Sequence, residues 1–319
     1  MRFLQVRELE GRYVASLAQT TRPVPRDGEV LVRVAASGVN RADLLQIAGR
    51  YPPPAGEPDS IGLELSGTAD ATGEAVCALV AGGGHAEYVA APAGQMFPAP
   101  ARLDLASAAG IPEAFLTAFV NLVMEAGLGP GETLLVHAGA SGVGLAAIQL
   151  GKLLGARVAA TTRTAEKLAA LEGAGADLAI DTSRQDFAEE IERHWGRDAV
   201  HVVLDPIGAA SLSGDLRVLA TRGRVVFIST MAGARAELDL ALVMRKRARL
   251  VGSTLRARSR AEKSAIVARF RSEMLPAFTA GALRVPVDSL FPVDRAAEAF
   301  QRMRQNRNVG KILIAWPRD

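Results

Sequence analysis

The chain has 319 residues, of which 49% are hydrophobic and 22% charged, with a net charge of +3. This composition suits a globular protein with a large core and excludes a fibrous or disordered one. At roughly 150 residues per domain the length predicts two domains. No apolar run reaches the ~18 residues of a membrane span. The opening MRFLQVRELEGRYV lacks the apolar stretch and cleavage site of a signal peptide, so none is expected. A single cysteine, Cys77, allows neither an intrachain disulfide nor a cysteine-rich zinc lobe, and a reducing cytoplasm is the expected setting. Most basic residues are arginine; the five lysines are Lys152, Lys167, Lys246, Lys263 and Lys311.

The first hundred residues carry short alternating runs, such as 29–35 and 86–90, separated by Pro and Gly at 51–56 and 82–84. They predict a small β-rich barrel with functional loops. A helix is expected over 112–126, after which the texture becomes α/β. Strands are predicted at 133–137, 157–161, 178–181, 200–204, 224–228 and 249–253. Helices are predicted at 142–154, 165–173, 187–195 and 209–220. Short β-branched strands with helical crossovers predict a doubly wound parallel sheet. The tail predicts a helix over 260–280, a strand at 285–288, a helix over 295–305 and a last strand at 311–315.

The strongest motif is 136–149, VHAGASGVGLAAIQ, which leaves a strand and opens a helix. Glycines there let the backbone approach a pyrophosphate, and the helix N-terminus offers free N–H groups. Gly139, Gly142 and Gly144 give the spacing G-x-x-G-x-G, with Ala140, Ser141, Gly142 and Val143 in the cradle. A tight turn without a ligand is the other reading. Ser141 is not a hydrolase nucleophile, because Val143 stands where the elbow needs glycine. An NAD site usually has an acid about 20 residues on, bonding the ribose 2′-OH. Here Thr162 and Arg163 occupy that place, with Lys167 after them, which predicts a 2′-phosphate and hence NADPH. The four histidines, His85, His137, His194 and His201, show no compact ligand spacing, so no metal is expected. His137 and His201 lie in apolar strands and read as core residues.

Several motifs follow in order: GVNRADLL at 38–45, GRYPPP at 49–54, GLELSG at 62–67, GGGHAEY at 82–88, IPEAFLTAF at 111–119, the Gly-rich turn, and NVGK at 308–311. Together they resemble the zinc-free, zeta-crystallin-like quinone oxidoreductases of the medium-chain dehydrogenase/reductase superfamily. N-R-A-D and G-x-Y-P-P-P are similar to the tumour-suppressor-inducible quinone oxidoreductase branch. The resemblance implies a GroES-like β-barrel catalytic domain at 1–117 with 259–319, and a Rossmann dinucleotide-binding domain at 118–258. It implies NADPH across Gly142 and Val143. Asn40, Thr117, Ser229, Thr230, Thr254 and Leu255 would meet the nicotinamide end, and Asn308 and Lys311 would reach the cofactor. The chain departs from the family at Asp181–Thr182, where a tyrosine is common, and at 68–76, which is short.

The expected reaction is NADPH-dependent reduction of a quinone or related conjugated carbonyl without a metal. Tyr51, in the Pro-rich loop, is the leading substrate-facing hydroxyl, followed by Asn40 and Asp43, although Tyr51 also reads as a packing aromatic and Asp43 as a helix cap. The alternatives are an enoyl or alkenal reductase, and a non-enzymatic NADPH- or RNA-binding protein. The last rests on a basic run, Arg245 to Arg249 with Arg256, Arg258 and Arg260, which also reads as a solvated surface. A homodimer through the edge strand at 249–253 is expected; a membrane partner is not.

Overall fold

The computed structural model describes residues 1–9 and 12–317. The chain forms two compact units, Met1–Leu116 with Leu255–Asp319, and Thr117–Thr254. The N-terminal segment contains β1 (Arg2–Leu9), β2 (Arg12–Gln19), β3 (Glu29–Val39), α1 (Arg41–Ile47), β4 (Glu64–Ala69) and β5 (Ala75–Leu79). It continues with β6 (Tyr88–Pro92), β7 (Met96–Pro98), α2 (Leu105–Ala108) and α3 (Pro112–Phe119). The central part runs β8 (Thr133–Val136), α4 (Gly142–Leu153), β9 (Arg157–Thr162), α5 (Leu168–Gly173), β10 (Leu178–Asp181) and α6 (Phe187–Trp195). It closes with β11 (Val200–Asp205), α7 (Leu212–Val218), β12 (Leu219–Phe227), α8 (Leu240–Lys246) and β13 (Arg249–Gly252). The C-terminal part contains α9 (Arg260–Glu273), α10 (Leu275–Ala280), β14 (Val287–Pro292), α11 (Ala296–Arg304) and β15 (Lys311–Ala315).

The first unit is the GroES-like barrel. Its main sheet has the order β14-β15-β3-β4-β5-β7, with β6 also paired to β3, and β1 with β2 forms a separate hairpin. The long strand β3 can serve three neighbours because β6 and β15 pair with successive stretches of it, Glu29–Arg33 and Ala36–Val39, while β4 pairs across the middle, from Val32 to Ser37. Its core gathers Val32, Leu65, Val89, Phe300, Ile312 and Ile314 from both chain segments. The C-terminal strand therefore completes the barrel, since Ile312 and Ile314 are fully buried within it. The short 68–76 region is a tight turn: Gly73 has φ +73°, and its N–H bonds to the Ala69 carbonyl at 2.8 Å.

The second unit is a Rossmann domain. Its six strands run in the order β10-β9-β8-β11-β12-β13, and every pairing is parallel. The order reverses beside β8, the switch point where such sheets bind ligands. Strand β8 is buried throughout, as a strand covered by helices on both faces must be.

The strand expected at 285–288 lies later, at Val287–Pro292, and three expected helices differ. The helix expected over 209–220 is only Leu212–Val218, because Leu219 pairs with Val200 and starts β12. The helix expected over 260–280 breaks at Met274, where Pro276 opens α10. The helix expected over 112–126 becomes a π-helix over Val120–Glu125, a form frequent at functional sites.

Candidate active site

The Gly-rich turn lies at the C-terminal end of β8 in the Rossmann unit. Ala138 takes φ +50°, and Ser141 caps α4 by accepting the Gly144 N–H at 3.0 Å. A Cβ on Gly144 would lie 2.5 Å from the Ala138 carbonyl oxygen and 2.6 Å from that of Gly139. Glycine thus lets the helix sit tightly on the turn. Ser141, Gly142 and Val143 are half-buried, so the first-turn N–H groups of this twelve-residue helix can meet an anion. Ala140 is buried behind them.

One strand over, Thr162 ends β9 and is buried, Arg163 is exposed and Lys167 is half-buried. No carboxylate stands at the end of β9. Asp181 ends β10 in register with Thr162. Its Oδ1 accepts from the Ser183 hydroxyl and N–H, which hold its carboxyl below the usual range. Thr182 donates to the Thr162 carbonyl. The cradle, the helix end and the two cations fit a phosphorylated dinucleotide.

His137 anchors the turn from below. Its Nε2 lies 2.7 Å from Asp215 Oδ1 and its Nδ1 3.0 Å from Thr161 Oγ1. Burial disfavours the imidazolium, but Asp215 outweighs it and the His137 pKa is raised. His137 is thus a buried core residue, as its apolar strand predicts, held in place by its hydrogen bonds to Asp215 and Thr161. Of the other expected contacts in this unit, Thr117 and Ser229 are half-buried, and Thr230 and Thr254 are exposed. The Thr117 carbonyl accepts from Asn121 Nδ2 at 2.7 Å at the start of the π-helix.

In the barrel unit, α1 and β15 bring Asn40 and Lys311 together. Lys311 Nζ donates to the Val39 carbonyl at 3.2 Å, to Asn40 Oδ1 at 2.7 Å and to Glu64 Oε1. Glu64 also accepts from Asn40 Nδ2 at 2.8 Å and from the Glu113 N–H at 2.8 Å. All three lysine protons are spent inside this unit, so Lys311 positions Asn40 and Glu64. Gly38 is required beside them: a Cβ there would lie 2.2 Å from Glu64 Oε1. Asp43 is fully buried; one oxygen accepts the Asn40 N–H, which makes it the N3 member of the capping box that starts α1, and the other accepts the Gly62 N–H. Asn308 Nδ2 donates to the Gly310 carbonyl. Leu255 is buried.

Tyr51 is half-buried over Arg256, whose Cζ lies 4.9 Å from the ring centroid. Arg256 is 5% exposed. It donates to the Ala81 carbonyl at 2.7 Å, the Tyr51 carbonyl at 3.1 Å and Gln46 Oε1 at 2.8 Å. Burial, and then repulsion from Glu113, raise the Tyr51 hydroxyl pKa, while Arg256 opposes them. Glu113 is pushed up to about 8 by burial and then by Glu64, with Lys311 opposing.

Sequence reasoning misses Arg256, Glu64 and Glu113 as site residues. In the linear pattern Arg256 belongs to a solvated basic run. That run is broken in the fold: Arg256 and Lys246 are buried, and Arg260 pairs with Glu29 and Glu57. Among the described residues no three His, Cys, Asp or Glu side chains are grouped to hold a metal ion. Cys77 is buried against the Ala108 carbonyl, and burial pushes its thiol up. This donor set does not fit a catalytic zinc.

Two family descriptions match the chain: zinc-binding dehydrogenase over residues 142–271 and alcohol dehydrogenase GroES-like domain over 26–82. The quinone oxidoreductase of Thermus thermophilus, solved also in complex with NADPH, is 31% identical over 99% of this chain and 100% of its own, with a TM-score of 0.85. The chain belongs to the quinone oxidoreductase family. Human quinone oxidoreductase is 27% identical over 98% of this chain and 97% of its own length. A solved NAD-dependent alcohol dehydrogenase is 28% identical with a TM-score of 0.86, over 99% of this chain and 100% of its own. The quinone oxidoreductase family within which the motifs place the chain is the family found, and its GroES-like and Rossmann domains are those described above.

Proposed function

We propose that the chain is an NADPH-dependent oxidoreductase that reduces quinones or related conjugated carbonyls without a metal, in the branch marked by N-R-A-D and G-x-Y-P-P-P. The observation that carries this reading is the end of β9: Thr162 followed by exposed Arg163, with no acid to bond a ribose 2′-OH. The anion cradle at Ser141–Gly144 would hold the pyrophosphate, and Arg163 with Lys167 the 2′-phosphate. Bound there, NADPH supplies the hydride. Thr117, Ser229, Thr230, Thr254, Leu255 and Asn308 are candidates for the cofactor's other contacts.

On the barrel side, Tyr51 is the group that would face the substrate carbonyl. Asn40 is held by Lys311 and Glu64 and would orient the substrate or ribose. Asp43 supports Asn40 as a cap. Among the described residues Cys77, the lone thiol, bonds to the Ala108 carbonyl with no group of His, Asp or Glu around it, which supports a metal-free reaction. Reduction of an alkenal or enoyl thioester also needs one hydride and one proton, so the same residues support it as the second reading. A non-enzymatic RNA-binding role is disfavoured, because the basic run is split by the buried Arg256 and Lys246.

The unpaired outer edge of β13 supports a homodimer through this strand. The lone buried thiol suits a reducing, cytoplasmic setting. The test is turnover of quinones, alkenals and enoyl thioesters with NADPH and with NADH. NADPH-dependent quinone reduction is expected. No quinone turnover with either cofactor overturns the reading.

A further inference from the structure

The barrel unit contains a cavity of about 430 Å³, within the roughly 300–1,000 Å³ of small-molecule sites. Phe3 of β1, Val89 of β6 and Val24, from the segment after β2, give it apolar walls. Val24 is 85% exposed, so apolar surface stands uncovered there. Among the described residues its charged lining is Arg26, Glu29, Glu57 and Arg260. Arg260 bonds Glu29 at 2.9 Å and Glu57 at 3.3 Å, and the formal charge of the four is zero. A neutral ligand leaves these pairs intact, whereas an ion would compete with them. Gln95 also lines the cavity, at the end of the one-turn helix Ala93–Gln95. It is 1% exposed, and neither its amide oxygen nor its amide nitrogen has a hydrogen-bond partner. Buried polar groups are nearly always bonded, and leaving one unbonded is destabilising. The turn is pressed against α9, where a Cβ on Gly94 would strike the Ser264 hydroxyl, which leaves little room to swing the amide elsewhere.

We propose that this cavity binds a neutral small molecule with an apolar body and a cis-amide edge, as in a lactam, an imide or a pyrimidine base. The Gln95 carboxamide presents an N–H donor and a carbonyl acceptor side by side. A cis-amide presents the same two groups in the opposite order, so two hydrogen bonds form at once and both unbonded atoms gain a partner. The apolar body of the ligand lies against Phe3, Val24 and Val89, and the Arg260 pairs stay closed. Neither Tyr51 nor Arg256 lines the cavity. The site is therefore separate from the candidate substrate-facing group, and it does not depend on the reductase reading.

The test is calorimetric titration of the full chain, in the presence of NADPH, with ε-caprolactam and with N-methylcaprolactam. Caprolactam is saturated, so it offers no conjugated carbonyl to a reductase site. Wild type should bind caprolactam at one saturable site with a Kd of about 1 mM or below. N-methylcaprolactam lacks the donor and leaves the Gln95 oxygen unbonded, so it should bind at least about tenfold more weakly. This comparison needs no variant. Gln95→Met keeps the length of the side chain and removes the amide. It should weaken caprolactam binding at least about tenfold, with a Tm no lower than that of wild type, because an unbonded buried amide is removed. Tyr51→Phe should leave caprolactam affinity unchanged. No saturable binding by caprolactam would show that the cavity holds only water and would overturn the proposal. Equal affinity for the two lactams, or undiminished binding by Gln95→Met, would overturn it because the amide is then not the recognition group. Binding lost in Tyr51→Phe would place the lactam at the other site and overturn it too.

Discussion

Lys311 and Glu64, 247 residues apart in sequence, form a buried ion pair inside the barrel unit. The lysine comes from the last strand and the glutamate from β4, so the pair ties the C-terminal segment to the N-terminal one. Breaking a buried pair leaves one charge without its partner, at about 3–5 kcal/mol. Lys311→Met should lower unfolding stability by that order. Glu64→Gln combined with Lys311→Met should recover part of it, because no lone buried charge remains. Urea titrations of the three proteins check this, and equal losses in single and double variants would contradict it.

Gly144 has no room for a methyl group. A Cβ 2.5 Å from the Ala138 carbonyl oxygen must push α4 off the turn. Gly144→Ala should weaken NADPH binding at least about tenfold and cost about 1–3 kcal/mol of stability. Cofactor titration and thermal melts of this variant measure both.

Asp288 fixes the end of the barrel sheet. It accepts from Arg302 Nε at 2.5 Å, Arg302 Nη2 at 2.9 Å and the Val309 N–H at 2.9 Å. Burial opposes its ionisation, but these donors prevail and hold its carboxyl below the usual range. With the folded pKa depressed, the stabilisation is present above the unfolded value near 3.8 and is lost as pH falls through the folded value. Asp288→Asn should destabilise by about 1–3 kcal/mol at pH 7. The deficit should shrink as pH drops below about 4. Stability measured across pH 3 to 7 checks the sign.

The Rossmann half is legible in the sequence because local signals decide it. Glycines at 139, 142 and 144 between an apolar strand and a helix admit few structures. The barrel cluster is less legible. Arg256 sits among arginines in sequence, and only its meeting with the Ala81 carbonyl, 175 residues earlier, reveals a buried cation. Glu113 reads as an ordinary first-turn acid, and its raised pKa comes from burial and Glu64, neither visible in a linear pattern. Asp43 reads both as a capping residue and as a catalytic acid, and its oxygens are taken by the Asn40 N–H of the capping box and by the Gly62 N–H. Leu219 looks helical because its neighbours are, yet pairing with Val200 takes it into β12.

The preference for a 2′-phosphate is the claim on which the functional reading turns. NADPH and NADH are to be titrated against wild type and Arg163→Ala. A charge-assisted bond contributes about 1.5–3 kcal/mol, or roughly 10- to 150-fold in affinity. Wild type should bind NADPH tighter than NADH by at least about tenfold, and Arg163→Ala should lose most of that preference while its NADH affinity stays unchanged. Equal affinity of the wild type for both cofactors would contradict it.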